Sequence, residues 1–294
     1  MLSVIKKQFI IVIAIISLYS NAFAQELVFT PRIEAGTWMF NSQLSGDMYE
    51  ENKQRTWFDI NEIMAVLQLG ASLQWREFYV DAYVQQSTSG SDVPNNETLL
   101  EDGVDSYANQ EADIERSEYS LLVGYQFPSQ VSLFIGYRFQ ETDINETLPQ
   151  NYELIPEARS PDTWDINIES NGPFLGLKYI MPIDANNSLS LSTSLGFFEQ
   201  TYQNAYTQVI GTGEFSQFKM LFDFETDVID LGLGAVYTHK LTNELEVNVQ
   251  GQLNYYSFDE RLADKRDTPD LAENFDVSAD ELNFQIRLGL QYRF

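Results

Sequence analysis

The sequence predicts an all-β chain folded as a transmembrane, antiparallel, up-and-down β-barrel of about ten strands. Three observations carry this. Apolar and polar residues alternate with period two through segment after segment, which is the pattern of strands whose two faces meet different media. The joints between these segments alternate between short and long. After the first 24 residues no apolar run is long enough to span a bilayer as a helix. A backbone that crosses hydrocarbon without a helix must close into a barrel.

In chain order, residues 1–24 read as a secretory signal peptide. Lys6 and Lys7 form its basic start, Phe9 to Leu18 its apolar run, and Ala22-Phe23-Ala24 the small residues before cleavage. Gln25 stands where a lipoprotein would need Cys. Residues 25–294 are then expected to form one barrel domain. The first strand, 27–40, contains Pro31, which suits a strand end or bulge. The second, 57–74, sets Ala65, Leu67, Leu69, Ala71 and Leu73 against Gln68, Gly70, Ser72 and Gln74. The third, 77–87, places Tyr79 and Tyr83 on the polar face.

The fourth and fifth, 115–127 and 131–142, alternate cleanly: Tyr119, Leu121 and Val123 against Ser120 and Gly124, then Leu133, Ile135 and Tyr137 against Gly136 and Arg138. The sixth, 164–181, changes parity near Asn171-Gly172-Pro173, which predicts a β-bulge. The seventh and eighth, 188–202 and 216–241, flank a segment, 203–228, that reads as their extension above the membrane, turning at Gly211-Thr212-Gly213. The ninth is 244–257. The tenth, 280–294, is the strictest: Leu282, Phe284, Ile286, Leu288, Leu290, Tyr292 and Phe294 alternate with Asn283, Gln285, Arg287, Gly289, Gln291 and Arg293.

Short joints fall at Trp75-Arg76, Pro128-Ser129-Gln130, Asp184 to Asn187 and Thr242-Asn243; long ones cover 41–56, 88–114, 143–163, 203–215 and 258–279. The count becomes eight if the irregular first and third strands are loops, and twelve if 203–228 re-enters the membrane. A water-soluble barrel is disfavoured because the polar faces carry Gly, Ser, Asn and Gln where a solvated surface would carry Lys and Glu. Aromatics also gather beside the short turns, among them Trp75, Phe78, Tyr125, Phe127, Tyr179, Tyr237, Tyr292 and Phe294, as in an interfacial girdle.

The chain's end, Arg287-x-Gly289-x-x-Tyr292-x-Phe294, resembles the C-terminal β-signal of Gram-negative outer-membrane proteins: a polar residue, a glycine, an aromatic and a terminal Phe. The resemblance implies residence in the outer membrane, among its lipid and lipopolysaccharide. It also implies a barrel-insertion machinery as partner during assembly.

Composition narrows function. The 294 residues include 44 acidic and 17 basic side chains, a formal net charge of −27, no Cys and one His. Nucleic-acid binding, which needs clustered basic residues, is excluded. No thiolate chemistry or multi-His metal centre is available, no loop shows the Asp-x-Asp-x-Asp-Gly calcium pattern, and no cofactor is expected. Ten strands at this length are similar to the omptin proteases in size and topology only. That resemblance would require a histidine with acidic partners at the outer rim. The sole histidine, His239, lies beside the short turn at Thr242-Asn243, at the opposite end, so no catalytic set is expected.

The polar face nominates lumen charges of both signs: Arg32, Arg138, Lys178 and Arg287 with Glu34, Asp81, Glu118, Asp230 and Glu246. Enclosed charges should pair. Gly36, Gly70, Gly124, Gly136, Gly176, Gly196, Gly232, Gly234 and Gly289 share that face, where small residues leave room for long neighbours. The long loops are acidic; 88–114 holds seven acids and no base. Three functions stay open: a non-enzymatic barrel serving as a narrow cation-preferring channel or surface structural protein, an adhesin or receptor acting through its loops, and a surface hydrolase. Oligomeric state is not legible.

Overall fold

The computed structural model describes residues 27–47, 54–89, 95–101, 104–148, 162–210, 216–263 and 274–294. They form eleven strands: β1 (Leu27–Asp47), β2 (Gln54–Trp75), β3 (Phe78–Ser89), β4 (Asn95–Glu101), β5 (Val104–Gln126), β6 (Val131–Leu148), β7 (Asp162–Pro182), β8 (Asn187–Ile210), β9 (Ser216–Lys240), β10 (Leu245–Ala263) and β11 (Asn274–Tyr292). Ten of them close into a ring. Each pairs antiparallel with its neighbour, β11 pairs with β1, and β3 pairs with β5 across the intervening β4. β4 pairs with β5 alone, from Asn95↔Gln110 to Glu101↔Val104, and stands outside the ring.

The wall is inside-out by the standard of a water-soluble protein. Leu288 is 61 % exposed and Ile63 62 %, whereas Arg138, Glu34, Asp230 and Arg287 are buried. Along β11 this follows from alternation alone: Leu282, Phe284, Ile286, Leu288 and Leu290 face out, and Glu281, Asn283, Gln285, Arg287 and Gly289 face in. Such a wall suits a hydrocarbon surround and a filled polar interior. The four short turns and both described termini share one end, the turn end; Phe294 N donates to Phe29 O at 3.0 Å. Trp75, Phe78, Phe127, Tyr179, Tyr237, Tyr292 and Phe294 are exposed there, giving the barrel its aromatic rim.

The strands run past the sequence-read limits at the other, loop end. β5 begins at Val104 and not 115, and β11 at Asn274 and not 280. The segment 203–228 continues the β8–β9 hairpin, paired as far as Ile210↔Ser216, and does not re-enter the membrane, so the ring holds ten strands. Gly211-Thr212-Gly213, residues 1–24 and the side chains of most of the acidic loops lie outside the described residues.

Two expectations are corrected. There is no bulge at Asn171-Gly172-Pro173. The β6–β7 register is unbroken from Val131↔Tyr179 to Leu148↔Asp162. The parity only looks shifted because Ile166, Ile168 and Phe174 are apolar residues that face inward. What lapses is the β7–β8 pairing at Gly172 and Pro173, where proline has no N–H to give. A register shift occurs instead between Leu44 and Ser45, on β1 against β2. The second correction concerns the interior, which is not polar throughout. Trp38, Phe40, Met64, Ile114, Ile144, Ile166, Ile168, Phe198, Tyr202 and Val228 form a buried apolar cluster toward the loop end.

The inward glycines make room for side chains that cross the lumen. A Cβ on Gly70 would stand 2.8 Å from the Arg32 guanidinium carbon; one on Gly136 would meet the Phe174 ring at 2.5 Å, and one on Gly124 the Tyr79 hydroxyl at 2.5 Å.

Candidate functional site

The candidate site is the column of side chains that fills the barrel. Neighbouring strands bring their inward residues to common levels, so charges far apart in sequence meet. At the turn end Arg32 (β1) holds Asp81 (β3) with two parallel bonds, Nη1–Oδ2 at 2.6 Å and Nη2–Oδ1 at 2.8 Å. This fork-on-carboxylate geometry is among the stronger ion pairs. Glu34 sits between two guanidiniums, 3.6 Å from Arg32 Nε and 3.3 Å from Arg287 Nε, and accepts from Gln68 at 3.2 Å. Arg287 (β11) also donates to Gln85, to Gln285 at 2.7 Å and to Gln252 at 3.1 Å.

The next level centres on Arg138 (β6). Its Nη1 lies 3.0 Å from Asp230 Oδ2, its Nε 3.6 Å from Glu118 Oε1, and its guanidinium carbon 5.0 Å from the centre of the Phe174 ring. Asn254 donates to Asp230 at 3.1 Å, Tyr83 donates to Glu118, and Gln140 donates to Glu118 at 2.9 Å and to Tyr256 Oη at 3.0 Å. Above it, Arg116 (β5) pairs with Glu281 (β11) at 2.7 Å and faces the Trp38 ring. The apolar cluster packs among these layers, Phe174 and Phe198 against Arg138 and Trp38, Phe40 and Tyr256 against Arg116.

Among the residues nominated from sequence, Arg32, Glu34, Asp81 and Arg287 meet in one group, and Glu118, Arg138 and Asp230 in another. Glu246 is buried apart from both and accepts from Gln291. Lys178 faces the lumen at the turn end beside the first group, within electrostatic reach of Asp81 and Arg32. Arg287 and Gly289 of the C-terminal motif face the lumen, while Tyr292 and Phe294 belong to the aromatic rim, their rings 4.7 Å apart. The nomination missed Arg116 and Glu281. Both carry inward parity, continuous with Glu118 and Asn283, at strand ends the alternation marks less sharply. It also missed Trp38 and Tyr256, whose size hid their inward direction, whereas Tyr83 falls on the inward face as its parity predicts.

Chemically, the column neutralises charge within itself. Removing one member of such a buried pair is costly because it strands the other. A cavity of about 140 Å³ lies where Ser192, Ser194, Gly232 and Gly234 leave the β8–β9 wall bare, bounded by Arg138, Phe134, Phe174 and Gln250. Among the described residues no group of His, Asp and Glu is placed to hold a metal ion. His239 stands at the turn end, its Nδ1 2.8 Å from Asn187 Oδ1, which also accepts from Tyr237 Oη at 2.6 Å.

These features define a closed, ten-stranded, antiparallel β-barrel of the outer-membrane type. No protein-family model matches the sequence, and no curated protein does. Among solved structures, the chain is similar to the outer membrane protease OmpT from Escherichia coli, with a TM-score of 0.59 at 13 % identity over 91 % of this chain and 97 % of that one. It also matches the translocator domain of the autotransporter NalP from Neisseria meningitidis (TM-score 0.45, 9 % identity, 95 % and 92 % covered). A third match is the toluene transporter TodX from Pseudomonas putida (TM-score 0.36, 10 % identity, 92 % and 90 % covered). At such identities the likeness to OmpT is one of fold.

Proposed function

We propose that the protein is an integral, non-enzymatic barrel of a Gram-negative outer membrane that works at the cell surface and passes no solute through its lumen. In this reading the short turns face the periplasm and the loop end faces outward. The lipid-facing belt contacts outer-membrane lipid and lipopolysaccharide. Arg287, Gly289, Tyr292 and Phe294 serve as the signal read by the barrel-insertion machinery. The observation that carries the closed lumen is the stacking of the Arg138–Glu118–Asp230 and Arg116–Glu281 layers, buried side chains that cross the interior among a cluster of buried apolar residues. Surface action then falls to the loops and to the strand ends that rise above the belt.

The narrow cation channel has less support, because guanidinium groups occupy both layers a cation would have to pass. A surface protease is disfavoured by the position of His239. Planar-bilayer recording with the refolded mature chain tests the proposal. A silent membrane is expected; discrete conductance steps of either selectivity would overturn it.

A further inference from the structure

A second, smaller cavity of about 10 Å³ lies inside the barrel at the level of Arg116, lined from β5, β6, β7, β8, β10 and β11. Two of the residues lining it carry polar atoms without a hydrogen-bond partner in the protein: Arg116 Nε and Ser170 Oγ. Both residues are more than nine-tenths buried. A buried donor left without a partner is costly, and such groups in folded proteins are almost always satisfied by protein or by ordered water. The volume is that of about one water molecule. The remaining lining is polar enough to complete its coordination, with Gln140, Thr142, Gln200 and Glu281 around it.

We infer that a single ordered water molecule occupies this cavity, accepting from Arg116 Nε–H and bonding Ser170 Oγ. The water completes the coordination of the guanidinium, whose Nη1 is already held by Glu281 and whose face lies on Trp38. It ties β7 to β5 and β11 at the level of the Arg116–Glu281 pair. The site stands on the cavity and on the orphaned atoms of two residues that line it, and holds whether or not the barrel conducts.

The sign of one substitution separates a wet cavity from a dry one. If water bridges the two groups, Ser170→Ala removes a hydrogen bond, and the midpoint of heat-induced unfolding, read by gel mobility at fixed heating time, falls by about 2–4 °C. If the cavity is dry, the same change removes an unsatisfied buried hydroxyl. The midpoint then rises or stays, which overturns the inference. Should the variant fail to refold, the unaltered protein carries the test by high-resolution crystallography. One ordered oxygen within hydrogen-bond distance of both atoms is expected, and an empty cavity overturns the inference.

Discussion

Arg116 and Trp38 face each other across the barrel with the guanidinium carbon 4.3 Å from the centre of the indole ring. Their contact closes a ring of four side chains. Trp38 Nε1 donates to Asn283 Oδ1 at 3.1 Å, Asn283 Nδ2 donates to Glu281 Oε1 at 2.5 Å, and that oxygen pairs with Arg116 Nη1 at 2.7 Å. Four residues from β1, β5 and β11 thus fix one another at the top of the polar column. A cation on an indole face, out of water, adds about 2 kcal/mol to such an arrangement.

Arg116→Ala strands Glu281 as a buried carboxylate with no cation, and the loss of stability is expected at about 3–5 kcal/mol. Replacing both partners by apolar residues, as in Arg116→Met with Glu281→Leu, should recover most of it, since the paired charges repay little more than their own desolvation. Urea unfolding in lipid vesicles measures both variants; a double variant as unstable as the single one would contradict the pairing.

Gly36 and Gly251 should respond in opposite ways to a methyl group. A Cβ on Gly36 would overlap Ile286 O and stand 2.7 Å from Arg287 Cα, so β1 and β11 would have to part at the seam that closes the ring. Gly36→Ala is expected to slow or block assembly. Gly251 sits on the outward face with nothing within 4 Å of its would-be Cβ, and Gly251→Ala should be neutral or stabilise by up to about 1 kcal/mol. Folding yield into vesicles, read by heat-modifiable mobility, distinguishes them.

The turn between β5 and β6 holds Gln130 at φ 67°, a backbone conformation that disfavours side chains. Its N–H still donates to Phe127 O at 3.1 Å, and its carbonyl accepts from Ile180 N at 2.9 Å. Gln130→Gly keeps both bonds and relieves the strain, for an expected gain of about 0.5–1 kcal/mol in urea unfolding. Gln130→Val should lose at least as much.

In the turn between β7 and β8, Asp184 accepts from the Asn187 side chain at 2.7 Å and from the backbone N–H of Asn186 and Asn187 at 2.8 and 2.9 Å. These bonds, the Asn187 side chain first, hold its carboxyl below the ordinary aspartate range, with the nearby His239 contributing in the same direction. Because the folded value is the lower one, the turn's contribution is complete above about pH 4 and is lost as pH falls through the folded value. The difference in unfolding midpoint between the unaltered protein and Asp184→Asn should therefore stay constant from neutral pH to about pH 5 and shrink in stronger acid.

Much of this molecule is written in its alternation. The strict pattern from Leu282 to Tyr292 settles which face of β11 meets lipid, because a one-residue slip would turn every apolar side chain inward. Ten ring strands and the four short turns follow from the same reading. β4 escaped it because Asn95 to Glu101 pairs on one edge only and separates no two media. The pattern also misled at β7, where Ile166, Ile168 and Phe174 are apolar and yet face inward; a period records a contrast between faces, and these inward apolar residues remove it.

By itself, then, the sequence determined a barrel with its polar face enclosed, since that requires only a local period and the cost of unpaired backbone in hydrocarbon. Which enclosed charges meet was decided by the tertiary structure alone. Arg32 finds Asp81 and Arg116 finds Glu281 through the stagger of ten paired strands, a relationship between residues 49 and 165 positions apart that no local pattern encodes. The same stagger sets large side chains opposite bare glycines, so that Arg32 crosses over Gly70 and Phe174 over Gly136.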